Sequence, residues 1–187
     1  MKKLIFLLPL AFFGCDTDDD GYYNVKYIVA DQPLVNIETL PDYNVNDVLY
    51  VNAEIPFLLA EEGSTNLIDI PRSTGNTPEF EISYSLQRQV SANVWEPVDL
   101  TGDFVGDIGQ GQSGFYVLGT TDTQADAYVF RGGLRLDSTG TFRLVFNTNA
   151  KNDSMVTLRS HSTGNNLELN IQSAVQGITG FYTFTVD

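Results

Sequence analysis

The chain has one cysteine, one histidine and one tryptophan in 187 residues. The residue types most used for covalent, acid–base and stacking chemistry therefore each have a single address. Cys15 has no partner with which to form a disulfide. His161 stands between Ser160 and Ser162, and adjacent residues of a strand point to opposite faces, so neither serine is placed as a nucleophile for it. One histidine without a second cysteine makes no ordinary zinc site. Asp16, Asp18, Asp20 and Gly21 match the opening of a calcium loop. That loop closes with a bidentate glutamate, and Tyr27 occupies the closing position. Gly109, Gly111 and Gly114 are spaced as in a dinucleotide-binding turn, but Phe115-Tyr-Val-Leu118 reads as strand, where a helix would have to meet the pyrophosphate. A hairpin loop is the expectation there. No metal, cofactor or catalytic residue is expected, and the chain is not expected to be an enzyme.

Three residues remain as binding candidates. Trp95, in Asn93-Val-Trp-Glu-Pro97, offers a ring that can stack on a sugar if it is exposed, or fill the core if it is not. Arg135 and Arg143 flank the turn at 137–140. Both face outward if Leu134, Leu136, Phe142 and Leu144 face inward. Pairing as a hairpin would set the two guanidiniums side by side, a repulsion that an acidic neighbour or a bound carboxylate would relieve. Arg131 and Arg159 would extend the same patch.

The elements that must position these residues are strands. Phe80, Ile82, Tyr84 and Leu86 alternate with Glu81, Ser83, Ser85 and Gln87, the period of a half-buried strand. Similar alternation sets Tyr23, Val25, Tyr27 and Val29 against Asn24, Lys26 and Ile28. It recurs at Phe142–Phe146, Leu167–Ile171 and Tyr182–Val186. Further strands are expected at Val48–Ile55, Val94–Leu100, Phe115–Leu118 and Tyr128–Leu136, with turn clusters such as 73–76, 137–140 and 163–166 between them. One helical turn is expected at Phe57–Glu62. About ten short strands with frequent turns predict an all-β chain, an antiparallel β-sandwich.

Two segments resemble known families. Tyr128–Phe146, with Asp137 and Gly140 ahead of Phe142, resembles the E–F region of immunoglobulin-like domains, although Phe142 replaces the corner tyrosine and Leu144 the cysteine. The resemblance implies an immunoglobulin-like sandwich, with a jelly roll as the alternative. The first residues, MKKLIFLLPLAFFGC, resemble the leader of bacterial lipoproteins. Two lysines precede an apolar run too short to span a bilayer, and Gly14 precedes the cysteine that such proteins acylate. The acidic residues 16–20 resemble the export signal behind that cysteine in surface lipoproteins of Bacteroidota. Together these imply a signal peptide at 1–14, lipidation at Cys15 and an acidic tether at 15–21. They also imply attachment to the outer membrane, on the cell surface or, alternatively, facing the periplasm. Residues 22–187 are expected to form one domain, with a strand layer at 22–70 packed on the sandwich.

Charge narrows the partners. Twenty-four acidic residues against ten basic ones give a net charge of −14, which repels phosphate backbones and anionic headgroups. Nucleic acid is excluded as a partner. The expectation is a lipid-anchored binding protein of the cell envelope, an accessory subunit of an outer-membrane assembly that meets a protein partner through a sheet edge or loops such as 101–114. The alternative is a glycan-binding lipoprotein.

Overall fold

In a computed structural model of the protein, the structure describes residues 23–30, 32–99, 103–111, 116–122, 124–146, 155–160, 165–172 and 181–187. In chain order its strands are β1 (Asn24–Val29), β2 (Val35–Glu38), β3 (Val48–Pro56), β4 (Leu58–Ala60) and β5 (Leu67–Asp69), then β6 (Glu79–Ser83), β7 (Ser85–Ser91) and β8 (Val94–Pro97). They continue as β9 (Phe104–Ile108), β10 (Gln110–Gly111), β11 (Tyr116–Asp122), β12 (Ala127–Arg135), β13 (Gly140–Val145), β14 (Val156–Ser160), β15 (Leu167–Gln172) and β16 (Tyr182–Val186). One short helix, α1 (Ile70–Ser73), follows β5.

A ten-stranded sheet runs β1-β15-β14-β6-β11-β12-β3-β2, with β10 added to β11 and β9 to β12. A four-stranded sheet runs β16-β13-β7-β8, and β4 and β5 form a separate pair. All pairings between these strands are antiparallel except β1 with β15. One hydrophobic core takes Phe80, Ile82, Phe130 and Leu134 from the larger sheet and Leu86, Phe142, Leu144 and Phe184 from the smaller one. All-β architecture, with antiparallel sheets as in a sandwich, is thus what the alternating apolar positions produce.

The chain crosses between the sheets at two described places. Phe80 to Gln87 reads as one strand, yet it breaks at Tyr84: β6 lies in the larger sheet and β7 in the smaller. The side chain of Tyr84 is buried at this corner, near the rings of Phe130 and Phe146. The second crossing, at 136–139, joins β12 to β13. Leu134, Leu136, Phe142 and Leu144 are all buried, as their spacing requires.

Two local expectations are corrected. Phe57–Glu62 contains no helical turn; it carries β4, in which burial alternates as in a strand, Leu59 pointing into the core while Leu58 and Ala60 stay exposed. The helix sits instead at Ile70–Ser73, where the Asp69 carboxylate accepts a hydrogen bond from the Arg72 backbone N–H at 3.0 Å and Pro71 occupies the first turn. In β1 the strand is where the alternation places it, but its faces are exchanged. Ile28 is the buried residue, and Tyr27 and Val29 are exposed.

Candidate functional site

The outer face of the four-stranded sheet is built from residues that alternate with the core positions. On β13, Phe142 and Leu144 point inward, so Arg143 points outward. Register places Arg143 between Gln87 of β7 and Thr183 of β16, and places Trp95 of β8 beside Gln89 of β7. Phe181, just ahead of β16, shares the outward parity of Thr183 and Thr185, which are exposed. The face thus presents an aromatic ring on each side of a central arginine, with glutamine and threonine around them.

The contacts are close. The Arg143 guanidinium carbon lies 4.0 Å from the Phe181 ring centroid and 4.5 Å from that of Trp95. Its Nε donates to the Gln87 side-chain oxygen at 2.8 Å. A cation over an aromatic face is worth about 0.5–1 kcal/mol where water still reaches it, so the two rings hold the guanidinium in place. Trp95 is half-buried and does not belong to the core.

The other arginines do not gather here. Arg135 and Arg143 belong to different sheets, because β12 pairs with β3, β9 and β11 while β13 pairs with β7 and β16. The turn between them crosses the sandwich, so the side-by-side guanidiniums expected from hairpin pairing are not formed. Arg135 is exposed at the end of β12. Arg131 sits on the larger sheet, where Glu38 takes it in a two-pronged pair at 2.9 and 2.8 Å and Asp107 binds it at 2.6 Å. Its guanidinium also lies 3.9 Å from the Tyr50 ring centroid, and Asn52 donates to Glu38 at 2.7 Å. The Arg131 bonds hold the Glu38 carboxyl below its ordinary range. Arg159 is held by Glu168 at 2.8 Å. These two are structural pairs, each neutralised within the ten-stranded sheet.

Segment 101–114 is also less loop-like than its composition. Its residues 104–108 pair with β12 and 110–111 with β11, which puts most of its described part inside the larger sheet. Gly109, at φ 98°, makes the turn between those two strands. Cys15 and His161 lie outside the described residues.

Beyond this face, an open cleft of about 410 Å³ lies beside α1, with Asp69, Arg72, Asn76 and Asp126 over Phe57 and Leu58. Among the described residues no group of three or more histidine, cysteine or acidic side chains could hold a metal ion, and no helix is long and apolar enough to cross a membrane. Sequence reasoning named Trp95 and Arg143 but missed Phe181, Gln87 and Gln89. Only the outward parity of Phe181 within Phe181–Val186 could have found it, and nothing local links it to a tryptophan so distant in the chain.

No protein-family model matches the chain, and neither a curated protein nor a solved structure shows significant similarity to it.

Proposed function

We propose that the protein is a lipid-anchored binding protein of the cell envelope, an accessory subunit of an outer-membrane assembly. Its recognition surface in this reading is the face formed by Trp95, Arg143 and Phe181. The observation that carries it is the arginine held between two aromatic rings on a sheet face outside the core. Tryptophan, arginine and aromatic residues at the centre of a surface, with polar neighbours around them, are the composition of protein-interface hot spots. The leader at 1–14, acylation of Cys15 and the acidic tether supply the membrane attachment, at the cell surface or facing the periplasm.

Strand addition at the nearby edge is the weaker route. The Val98 N–H donates to the Leu86 carbonyl at 2.8 Å, so alternation turns the backbone of Trp95 and Pro97 toward the edge of β8 that pairs with no strand among the described residues. Proline has no N–H to offer there, which blunts the edge. The face is therefore a better docking surface than the edge.

The order β16-β13-β7-β8 supports an immunoglobulin-like relationship. It corresponds to the G-F-C-C′ order of variable-type domains, with β12 and β13, the E and F equivalents, in different sheets as there. The larger sheet departs from that plan, since β11 lies between β6 and β12.

The test is photo-crosslinking on intact cells with the reactive residue at Gln89 or Thr183, and at Arg135 on the other sheet as control. A recurrent outer-membrane protein captured from the first two positions only, and lost in Trp95→Ala and Arg143→Ala, is the expected result. Equal capture from all three positions removes the face from the argument. A glycan ligand is the second reading, favoured by the partial exposure of Trp95. It needs an unoccupied ring face for a sugar, and the guanidinium already covers one face of each ring. Binding of the purified chain to an immobilised glycan, abolished by Trp95→Ala, would put this second reading first.

A further inference from the structure

The strand at the base of the tether turns the wrong face outward for a soluble sandwich. In β1, Ile28 is fully buried, while Tyr27 is 52% and Val29 45% exposed. The antiparallel bridge of Ile28 to Glu61, with the Glu62 N–H donating to the Tyr27 carbonyl at 2.8 Å, sets Val29 opposite Ala60. Ala60 in turn pairs with Leu67 across β4 and β5. Val29, Ala60 and Leu67 therefore form a row across three strands, flanked by Tyr27 and Leu58. Leu67 is 59% and Leu58 52% exposed. Four of the nine large hydrophobic side chains exposed among the described residues lie on this one face.

We propose that this face rests on the bilayer that holds the lipid anchor, with its apolar side chains at headgroup depth. The proposal rests on acylation of Cys15. The occupant follows from where the tether ends. Nine Cα–Cα steps separate Cys15 from Asn24, the first residue of β1, and at about 3.3–3.6 Å each they reach at most about 30 Å. A domain of this size is about 40 Å across. The leash is thus shorter than the molecule, which keeps the element at its end on the membrane side of the domain's reach and makes its exposed apolar face the one nearest at hand. Tyrosine and branched aliphatic residues are suited to an interface where one side is apolar and the other wet. Glu62 and Asp69, opposite Tyr27 and Leu58 in register, border the row, while Glu61 is paired with Lys26 at 2.8 Å, so the lipid surface it fits is zwitterionic rather than anionic.

The chain from Cys15 to Asp187, coupled through its one thiol to a maleimide phospholipid, provides the test. It is examined in phosphatidylcholine vesicles containing brominated lipid, which quenches tryptophan at short range. Two single-tryptophan proteins are compared, the native chain and Leu67→Trp in a Trp95→Phe background. Val90→Trp in the same background controls for any newly exposed indole. Fluorescence of the tryptophan at 67 is expected to fall at least about two-fold, with little change at 95 or 90. Weak or equal quenching at all three positions overturns the proposal. So does concentration-dependent dimerisation of the uncoupled chain that Leu67→Glu abolishes, because a second copy would then be the occupant. Mass spectrometry of the mature terminus from native cells tests the anchor separately. An unacylated terminus removes the premise, whereas quenching of the coupled chain judges the face alone.

Discussion

At the scale of single residues, the close approach of side chains to β12 sets the sharpest constraint. A Cβ at Gly133 would stand 2.2 Å from Val48 Cγ1 and 2.9 Å from Tyr50 Cε1. The Tyr50 ring uses that space, and the Arg131 guanidinium lies over it at 3.9 Å from the centroid. Gly133→Ala is therefore expected to lower stability by about 1–3 kcal/mol, read as a shift of the urea midpoint at unchanged slope. Tyr84 makes the opposite prediction. Its hydroxyl is buried with no hydrogen-bond partner among the described residues, and burial raises its pKa above the ordinary phenol range. Tyr84→Phe removes a desolvated group without opening a cavity, so stability should be unchanged or higher by up to about 1 kcal/mol. A loss larger than that in thermal unfolding would show that the hydroxyl is satisfied in solution. For Trp95→Ala and Arg143→Ala, both outside the core, the melting temperature should move little while partner capture is lost.

At the scale of elements, two features carry predictions. The first is the blunt edge of β8. Pro97→Val restores an outward N–H beside Trp95, and the variant should self-associate more strongly than the native chain, as sedimentation at rising concentration would reveal. The second is the network joining β2, β3, β9 and β12 through Glu38, Asn52, Asp107 and Arg131. Glu38 has a folded-state pKa below its ordinary 4.5. Its contribution is therefore present above that value and is lost as pH falls through the lower, folded-state value. Water reaches both partners, so the effect is modest. Glu38→Gln should flatten the decline of stability below about pH 4.5 and leave stability near pH 7 slightly lower. An unchanged acid limb would assign that decline to other carboxylates.

At the scale of the whole molecule, the two faces belong to different parts of the architecture: the Trp95 face to the four-stranded sheet, the Tyr27–Leu67 face to β1, at the edge of the larger sheet, and the β4–β5 pair beside it. Replacing Cys15 by serine is expected to move the protein from the membrane fraction to the soluble one without altering its melting temperature, since nothing in the described core depends on the anchor.

The alternation of apolar and polar residues determined by itself that the chain is all-β, because a period of two has only one way to bury half of a segment. It also determined that Leu134, Leu136, Phe142 and Leu144 are core, and hence that Arg135 and Arg143 point outward. Periodicity carries no information about which strands are neighbours. Whether 137–140 closes a hairpin or crosses between sheets depends on contacts far apart in the chain, and the crossing separates the two arginines. The same limit applies to Tyr84, where a continuous alternation hides a change of sheet, and to β1, where the face richer in apolar residues is the one left outside. Only the tertiary structure could bring Trp95, Arg143 and Phe181 together, because a sheet joins residues by pairing across strands and not by their distance in sequence.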